Sequence, residues 1–131
     1  MRVLLADNHV VIRGGLRALL QMHKNFQICG EAINGREAVD LAVQKKPDVV
    51  IININLPGIN GIEATRQIRK QAPGTEILIF TAENNEDLLR EALRAGARGY
   101  LFYSADDRCE LVFLIHRLLQ QCSVQRSTVY A

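Results

Sequence analysis

The chain has 131 residues, of which 48% are hydrophobic and 23% are charged, and its formal net charge is +2. This length allows one hydrophobic core and is too short for two domains of ordinary size, so we expect a single domain. Because the basic residues are dispersed among acids, the sequence lacks the basic stripe that direct binding of nucleic acid requires.

Apolar runs of strand length recur along the chain, at residues 3–6, 26–29, 49–52, 77–80 and 99–102. Several of these runs lack polar alternation, which is typical of strands that are covered on both faces of a parallel sheet. The runs therefore predict five buried parallel strands.

Apolar residues at helical spacing lie between the runs, across residues 12–20, 38–42, 62–68 and 88–93, and a fifth helix is expected at about 106–121. Asn34 stands as an N-cap three residues before Glu37, Asn60 and Gly61 open the third helix, and Gly96 closes the fourth. This alternation of strand and helix predicts an open, doubly wound α/β sheet with right-handed crossovers.

No apolar run approaches the roughly 18 residues that span a bilayer, and the N-terminus has no signal-peptide pattern, so we expect a cytoplasmic protein without a membrane partner. The cysteines Cys29, Cys109 and Cys122 are widely scattered and have no metal-ligand spacing with the histidines. We expect them to be reduced. His9, at the start of the first helix, is expected to be a solvated residue and not a ligand.

Polar residues follow four of the five predicted strands. Asp7 and Asn8 follow the first strand, Asn53 the third, Thr81 the fourth and Tyr103 the fifth. The carboxyl ends of parallel strands meet at one edge, where ligands bind in sheets of this class. The residues form a polar pocket, but they include no Ser-His-acid set, glycine-rich phosphate loop or carboxylate pair. We therefore expect neither enzymatic activity nor a cofactor.

Four motifs stand in order along residues 1–121: RVLLADNH at 2–9, GLRALL at 15–20, NLPGING at 55–61 and EALRAGARGYL at 91–101. Together they resemble the receiver domain of two-component response regulators of the NarL/FixJ branch, in which a helix-turn-helix domain typically follows the receiver. The resemblance implies a flavodoxin-like fold with strand order 2-1-3-4-5. Residues 122–131 then form a linker or C-terminal tail.

The resemblance also implies a phosphorylation site at the carboxyl edge of the sheet. In the family, two acids and an acceptor aspartate hold Mg²⁺, while a hydroxyl and a lysine contact the phosphoryl group. At the matching positions this chain keeps Asp7 and Thr81 but has Asn8 for the second acid, Asn53 for the acceptor and Tyr103 for the lysine. An amide has no anionic oxygen to attack phosphorus, so the family's chemistry is not expected here.

Two further roles follow from the resemblance alone. Thr81 and Tyr100 match the positions of the family's conformational switch. Asp7 and the backbone carbonyl of Asn55 would remain as oxygen ligands for a metal, but one carboxylate and one carbonyl are a poor cage for Mg²⁺, so we expect no metal. Tyr103 is expected to be a half-buried space filler rather than a stacking platform for a ligand.

Three hypotheses about function remain open. The first is a phosphorylation-independent pseudo-receiver that acts as a signalling or dimerisation module of a transcription regulator. The second is a conventional phospho-switch made inert by substitution at position 53, and the third is a receiver that senses a small molecule in the vacated pocket. A comparison of the natural gene at positions 8, 53 and 103 would separate the first two.

The surface expected to bind a protein partner or a second copy comprises the fourth helix, the fifth strand and the fifth helix, a face that receivers of the family commonly use. The run at 111–119 has more apolar residues than one buried stripe absorbs, which leaves Val112 and Phe113 as candidate contacts. Packing at the edge of the core is the alternative for these two residues. DNA would be bound only by a separate output domain.

Overall fold

The computed structural model describes residues 1–82, residues 85–102 and the pair 129–130. The strands are β1 (Arg2–Ala6), β2 (Gln27–Ala32), β3 (Val49–Ile52), β4 (Glu76–Thr81), β5 (Gly99–Phe102) and β6 (Val129–Tyr130). The helices are α1 (Val10–Gln21), α2 (Gly35–Lys45), α3 (Gly61–Gln71) and α4 (Glu86–Ala95). The fifth helix predicted at 106–121, together with Tyr103, Val112 and Phe113, lies outside the described residues.

The strands form one parallel sheet in the order β2-β1-β3-β4-β5-β6. The predicted α/β fold and the order 2-1-3-4-5 are thus confirmed. The additional strand β6 arises within the predicted tail, where Val129 pairs with Gly99 and Tyr130 pairs with Tyr100. Strand β5 would otherwise present unpaired backbone groups at the edge of the sheet, and Val and Tyr favour extended backbone.

Two apolar clusters cover opposite faces of the sheet, because successive side chains of a strand point to opposite sides. On one face, Leu4, Val50 and Ile79 pack with buried residues of α2, α3 and α4. On the other, Val3 and Leu5 pack with residues that include Leu16 and Leu20 of α1. Burial on both faces explains why the strand sequences do not alternate with polar residues. In the described ranges, no helix has the length and apolar character needed to cross a membrane.

Capping residues fix the ends of several helices as predicted. The Asn34 side chain accepts a hydrogen bond from the backbone N–H of Glu37 at 2.8 Å, and Asn60 accepts one from Glu63 at 2.9 Å. Gly96 closes α4 with a φ of 118°, a left-handed conformation that glycine adopts without strain. Asn34 and Asn60 therefore fix where the loops after β2 and β3 end, at the carboxyl edge of the sheet.

Candidate functional site

Asp7 and Asn53 lie side by side at the carboxyl edge. The backbone N–H of Asn53 donates to the carbonyl of Ala6 at 3.0 Å, and the N–H of Asp7 donates to the carbonyl of Ala32 at 3.0 Å. These hydrogen bonds extend the pairing of β1 with β3 and of β1 with β2 by one residue beyond the ends of the strands. Asp7 is only 3% exposed and Asn53 only 8% exposed, so both side chains interact in a site largely shielded from water.

The orientation of the Asn53 amide follows from its neighbours. The backbone N–H of Asn55, which can only donate, contacts Oδ1 of Asn53 at 3.0 Å. The amide nitrogen Nδ2 is thereby directed to Asp7, where it donates to Oδ1 at 3.3 Å. A hydrogen-bond donor of Asn53 therefore faces the carboxylate of Asp7.

His9 also belongs to this site, although the sequence predicted a solvated residue. Its backbone N–H and its ring Nδ1 each lie 2.8 Å from Oδ1 of Asp7. Because a carboxylate oxygen only accepts, Nδ1 carries the proton in this contact. The side chain of His9 remains 54% exposed, so the ring reaches the carboxylate from the surface. The signal in the sequence was the spacing, since an Asp side chain commonly accepts from the backbone two residues later.

Arg13 fixes the backbone of Asp7 from the first helix. Its Nη1 donates to the carbonyl of Asp7 at 2.7 Å, and its Nε donates to the Glu31 carboxylate on β2 at 2.9 Å. The other oxygen of Glu31 accepts from Arg17 at 2.7 Å. The junction of β1 and α1 is thus tied to β2. This arrangement was not predicted, because Arg13 and Glu31 are 18 residues apart and only the folded sheet brings them together.

Gly61 brings the start of α3 against the backbone of Asn53. A Cβ built on Gly61 would overlap the carbonyl oxygen of Asn53 and would lie 2.8 Å from Cα of Ile54. The N–H of Gly61 donates to the carbonyl of Ile54 at 2.8 Å. Only glycine permits this approach, so the loop that carries Asn53 and Asn55 is held directly by the helix that follows it.

The structure also describes Asn8, Thr81 and Tyr100. Asn8 is exposed beside Asp7, and Thr81 is 2% exposed at the end of β4. Tyr100 is half-buried on β5 and lines an open cavity of about 240 Å³ together with residues of α4, namely Glu86, Leu89, Arg90 and Leu93. Tyr103 lies outside the described residues.

The donor set at this edge does not fit Mg²⁺, which prefers several hard, anionic oxygens. Asp7 supplies one carboxylate, whose Oδ1 already accepts from His9 and Asn53. Asn53 presents an N–H₂ group to that carboxylate, and a cation repels such a donor. Across residues 1–82 and 85–102, no three or more His, Cys, Asp and Glu side chains are grouped so as to hold a metal ion.

Comparisons with known sequences identify relatives of the chain. The family model for the response regulator receiver domain matches residues 3–112. The chain is 40% identical over 100 residues to the transcriptional regulatory protein YdfI of Bacillus subtilis, covering 76% of this chain and 46% of that protein. It is 35% identical over 99 residues to the nitrate/nitrite response regulator protein NarL of Escherichia coli, with the same coverage of 76% and 46%. The chain therefore spans about half the length of these relatives.

Solved structures give the same result for the fold. A two-component response regulator of the LuxR family from Aurantimonas sp. superimposes with a TM-score of 0.85 at 38% identity, covering 92% of this chain and 85% of that one. The receiver domain of a NarL protein from Mycobacterium tuberculosis superimposes with a TM-score of 0.84 at 28% identity, covering 91% and 95%. The fold, the motifs and these matches together show that the chain belongs to the response regulator receiver domain family.

Proposed function

We propose that this chain is the receiver module of a transcriptional response regulator and that it signals without phosphorylation at position 53. One observation carries this proposal: the amide of Asn53 is held with Oδ1 on the Asn55 N–H and Nδ2 on Asp7. Phosphoryl transfer to this position requires an anionic oxygen, and an amide oxygen carries no such charge. The hydrogen bonds also give the amide a structural role of its own.

The other departures support the same proposal. Asn8 removes a second negative charge from the pocket, and Tyr103 removes the ammonium that would face a phosphoryl group. In the family these groups act together, because a cation and a donor must offset the charge of the transferred group. A substitution at position 53 alone would explain the lost acceptor but not the other two changes.

The module would act through protein contacts. We place the working surface on α4, β5 and the region 106–121, with Val112 and Phe113 as candidate contacts for a partner or a second copy. Tyr100 joins β5 to this surface, since it lines the cavity beside α4. In this proposal DNA is bound by a separate output domain, in keeping with a relative that is named as a transcriptional regulatory protein and of which the match covers only 46%.

Labelling with a small phosphodonor such as acetyl phosphate, in the presence of Mg²⁺, tests the proposal. The unmodified protein should take up no label, and Asn53→Asp alone should be labelled poorly. The triple variant Asn8→Asp, Asn53→Asp, Tyr103→Lys should be labelled much more than the single variant, because the three groups act as a unit.

Two outcomes would contradict the proposal in different ways. Label on the unmodified protein would show that phosphoryl chemistry has been retained at another residue, which mass spectrometry would locate. Efficient labelling of the single variant Asn53→Asp would instead support a conventional phospho-switch made inert at position 53. A circular dichroism spectrum that matches the spectrum of the unmodified protein would establish that each variant is folded.

A further inference from the structure

The carboxylate of Asp7 is buried, and a buried charge is stable only when hydrogen bonds or an opposite charge compensate for lost water. In Asp7, three hydrogen-bond donors contact the same carboxylate oxygen, Oδ1. Oδ1 accepts from the backbone N–H of His9 at 2.8 Å, from the ring Nδ1 of His9 at 2.8 Å and from Nδ2 of Asn53 at 3.3 Å. Two of the three donors therefore belong to a single residue, His9.

The ring of His9 can donate to Asp7 through Nδ1 in two protonation states. A neutral imidazole with the proton on Nδ1 donates to Asp7, and a doubly protonated imidazolium does so as well. Nδ2 of Asn53 lies 3.5 Å from the same ring nitrogen, which is a much longer separation than the 2.8 Å between Nδ1 and Oδ1 of Asp7, an oxygen that only accepts. The geometry therefore assigns the proton to Nδ1 without reference to the charge of the ring.

His9 is also the N-cap residue of α1, yet its side chain makes no capping hydrogen bond to that helix. The ring turns back to Asp7 instead. The N-terminus of α1 is consequently oriented through Asp7, whose side chain accepts from His9 and whose carbonyl accepts from Arg13 at 2.7 Å.

We propose that His9 is a positioning residue whose ring N–H takes the place of a divalent cation at Oδ1 of Asp7, so that the junction of β1 and α1 is organised without metal. The proposal goes beyond the absence of phosphorylation, because a receiver without an acceptor could still use a cation to order this junction. The donor geometry accounts for the poor fit of Mg²⁺: to reach Oδ1, the ion would have to displace His9 or Asn53 and would gain only one carboxylate.

Nuclear magnetic resonance tests the assignment directly. Long-range ¹H–¹⁵N spectra of the uniformly labelled protein should show a protonated Nδ1 for His9, with the His23 ring as an internal reference in the same spectrum. Addition of Mg²⁺ or Ca²⁺ to about ten millimolar should leave the signals of the Asp7 amide and the Asn53 side-chain amide unshifted. A proton on Nε2 alone, or a saturable shift of these signals with cation, would overturn the proposal.

Variants provide a second measurement. His9→Ala should lower Tm by about 3–6 °C, whereas Val10→Ala should lower it by less than about 1 °C. Val10 is the matched control because it is the next residue and is 71% exposed. His9→Asn should retain the Asn53 side-chain signal of the unmodified protein, because Nδ2 of Asn occupies the place of the ring Nδ1. His9→Gln should shift that signal, because its nitrogen lies one bond further out.

The outcomes also separate this inference from the proposed function. If the cation shifts these signals while the phosphodonor leaves the protein unlabelled, the role of His9 is wrong and phosphorylation independence stands. If the protein is labelled while the His9 ring is protonated at Nδ1 and the cation shifts none of these signals, the role of His9 stands and phosphorylation independence is wrong. An unchanged Tm in His9→Ala would show that the ring contributes nothing to Asp7 and would reject the inference.

Discussion

Asn53→Asp should destabilise the protein, even though it introduces the residue that the resemblance to receiver domains implies at this position. The substitution replaces the Nδ2 donor, 3.3 Å from Oδ1 of Asp7, with an oxygen that cannot donate. Two carboxylates would then face each other at a site where residues 7 and 53 are now only 3% and 8% exposed. Solvent would screen their repulsion weakly.

The magnitude follows from the separation. Two like charges about 4 Å apart repel by about 4 kcal/mol at an effective dielectric constant of about 20. Protonation of one carboxylate at pH 7 costs about the same free energy when the carboxyl group has its ordinary pKa. Protonation would therefore remove little of the destabilisation that the charge repulsion causes. Allowing for relaxation, we expect the free energy of unfolding to fall by about 2–4 kcal/mol in the absence of divalent cations.

Urea denaturation with EDTA would measure this loss, and Asn53→Ala is the matched control. The alanine variant loses the same donor without adding a charge, so it should be destabilised by only about 1–3 kcal/mol. Millimolar Mg²⁺ should recover part of the loss in Asn53→Asp and none of it in Asn53→Ala. If Asn53→Asp were as stable as the unmodified protein in EDTA, the proposed contact between Nδ2 and Asp7 would not contribute to folding.

Three further predictions concern packing, capping and association. Gly61→Ala should lower the free energy of unfolding by more than about 2 kcal/mol, because the added Cβ would overlap backbone atoms. Gly15→Ala in α1 is the control and should raise the free energy of unfolding by about 0.5–1 kcal/mol, because a Cβ there meets nothing within 4 Å. Equal effects of the two substitutions in urea denaturation would refute the close approach of Gly61. Arg69→Ala removes donors at 2.9 and 3.2 Å to the Gly96 carbonyl at the end of α4 and should lower stability by about 1–2 kcal/mol. A similar loss in Arg66→Ala, whose ion pair with Glu63 is exposed, would contradict that explanation. Phe113→Asp should shift a self-associating sample towards monomer in sedimentation while leaving its circular dichroism intact, and unchanged association would place the interface elsewhere.

The sequence predicted the sheet well because burial on both faces leaves a local signature. The run Val49–Ile52 has no polar residue, and each of its members is at most 1% exposed in the fold. The caps at Asn34 and Asn60 were also predictable, since each acts on a residue three positions along the same chain. Local chemistry determined these features, so no tertiary information was needed to find them.

The contacts within the candidate site were harder to predict. The positions of Asp7 and Asn53 at the ends of β1 and β3 followed from the strand pattern, but the direction of the amide depends on the Asn55 N–H. Arg13 meets Glu31 only after β1 and β2 have paired, and strand β6 depends on the open edge of β5. Features that require two distant segments to meet leave no periodic signal in either segment.

The close approach of Gly61 to residue 53 involves only backbone atoms of residue 53, so the local fold and the side-chain chemistry at this position are independent in this respect. Residue 53 is held in the fold by its backbone, through its N–H to Ala6 and through its carbonyl against the start of α3. Neither contact depends on which side chain the residue bears. A change of side chain at residue 53 should therefore leave both backbone contacts in place, so that α3 begins at the same position whichever group the residue carries.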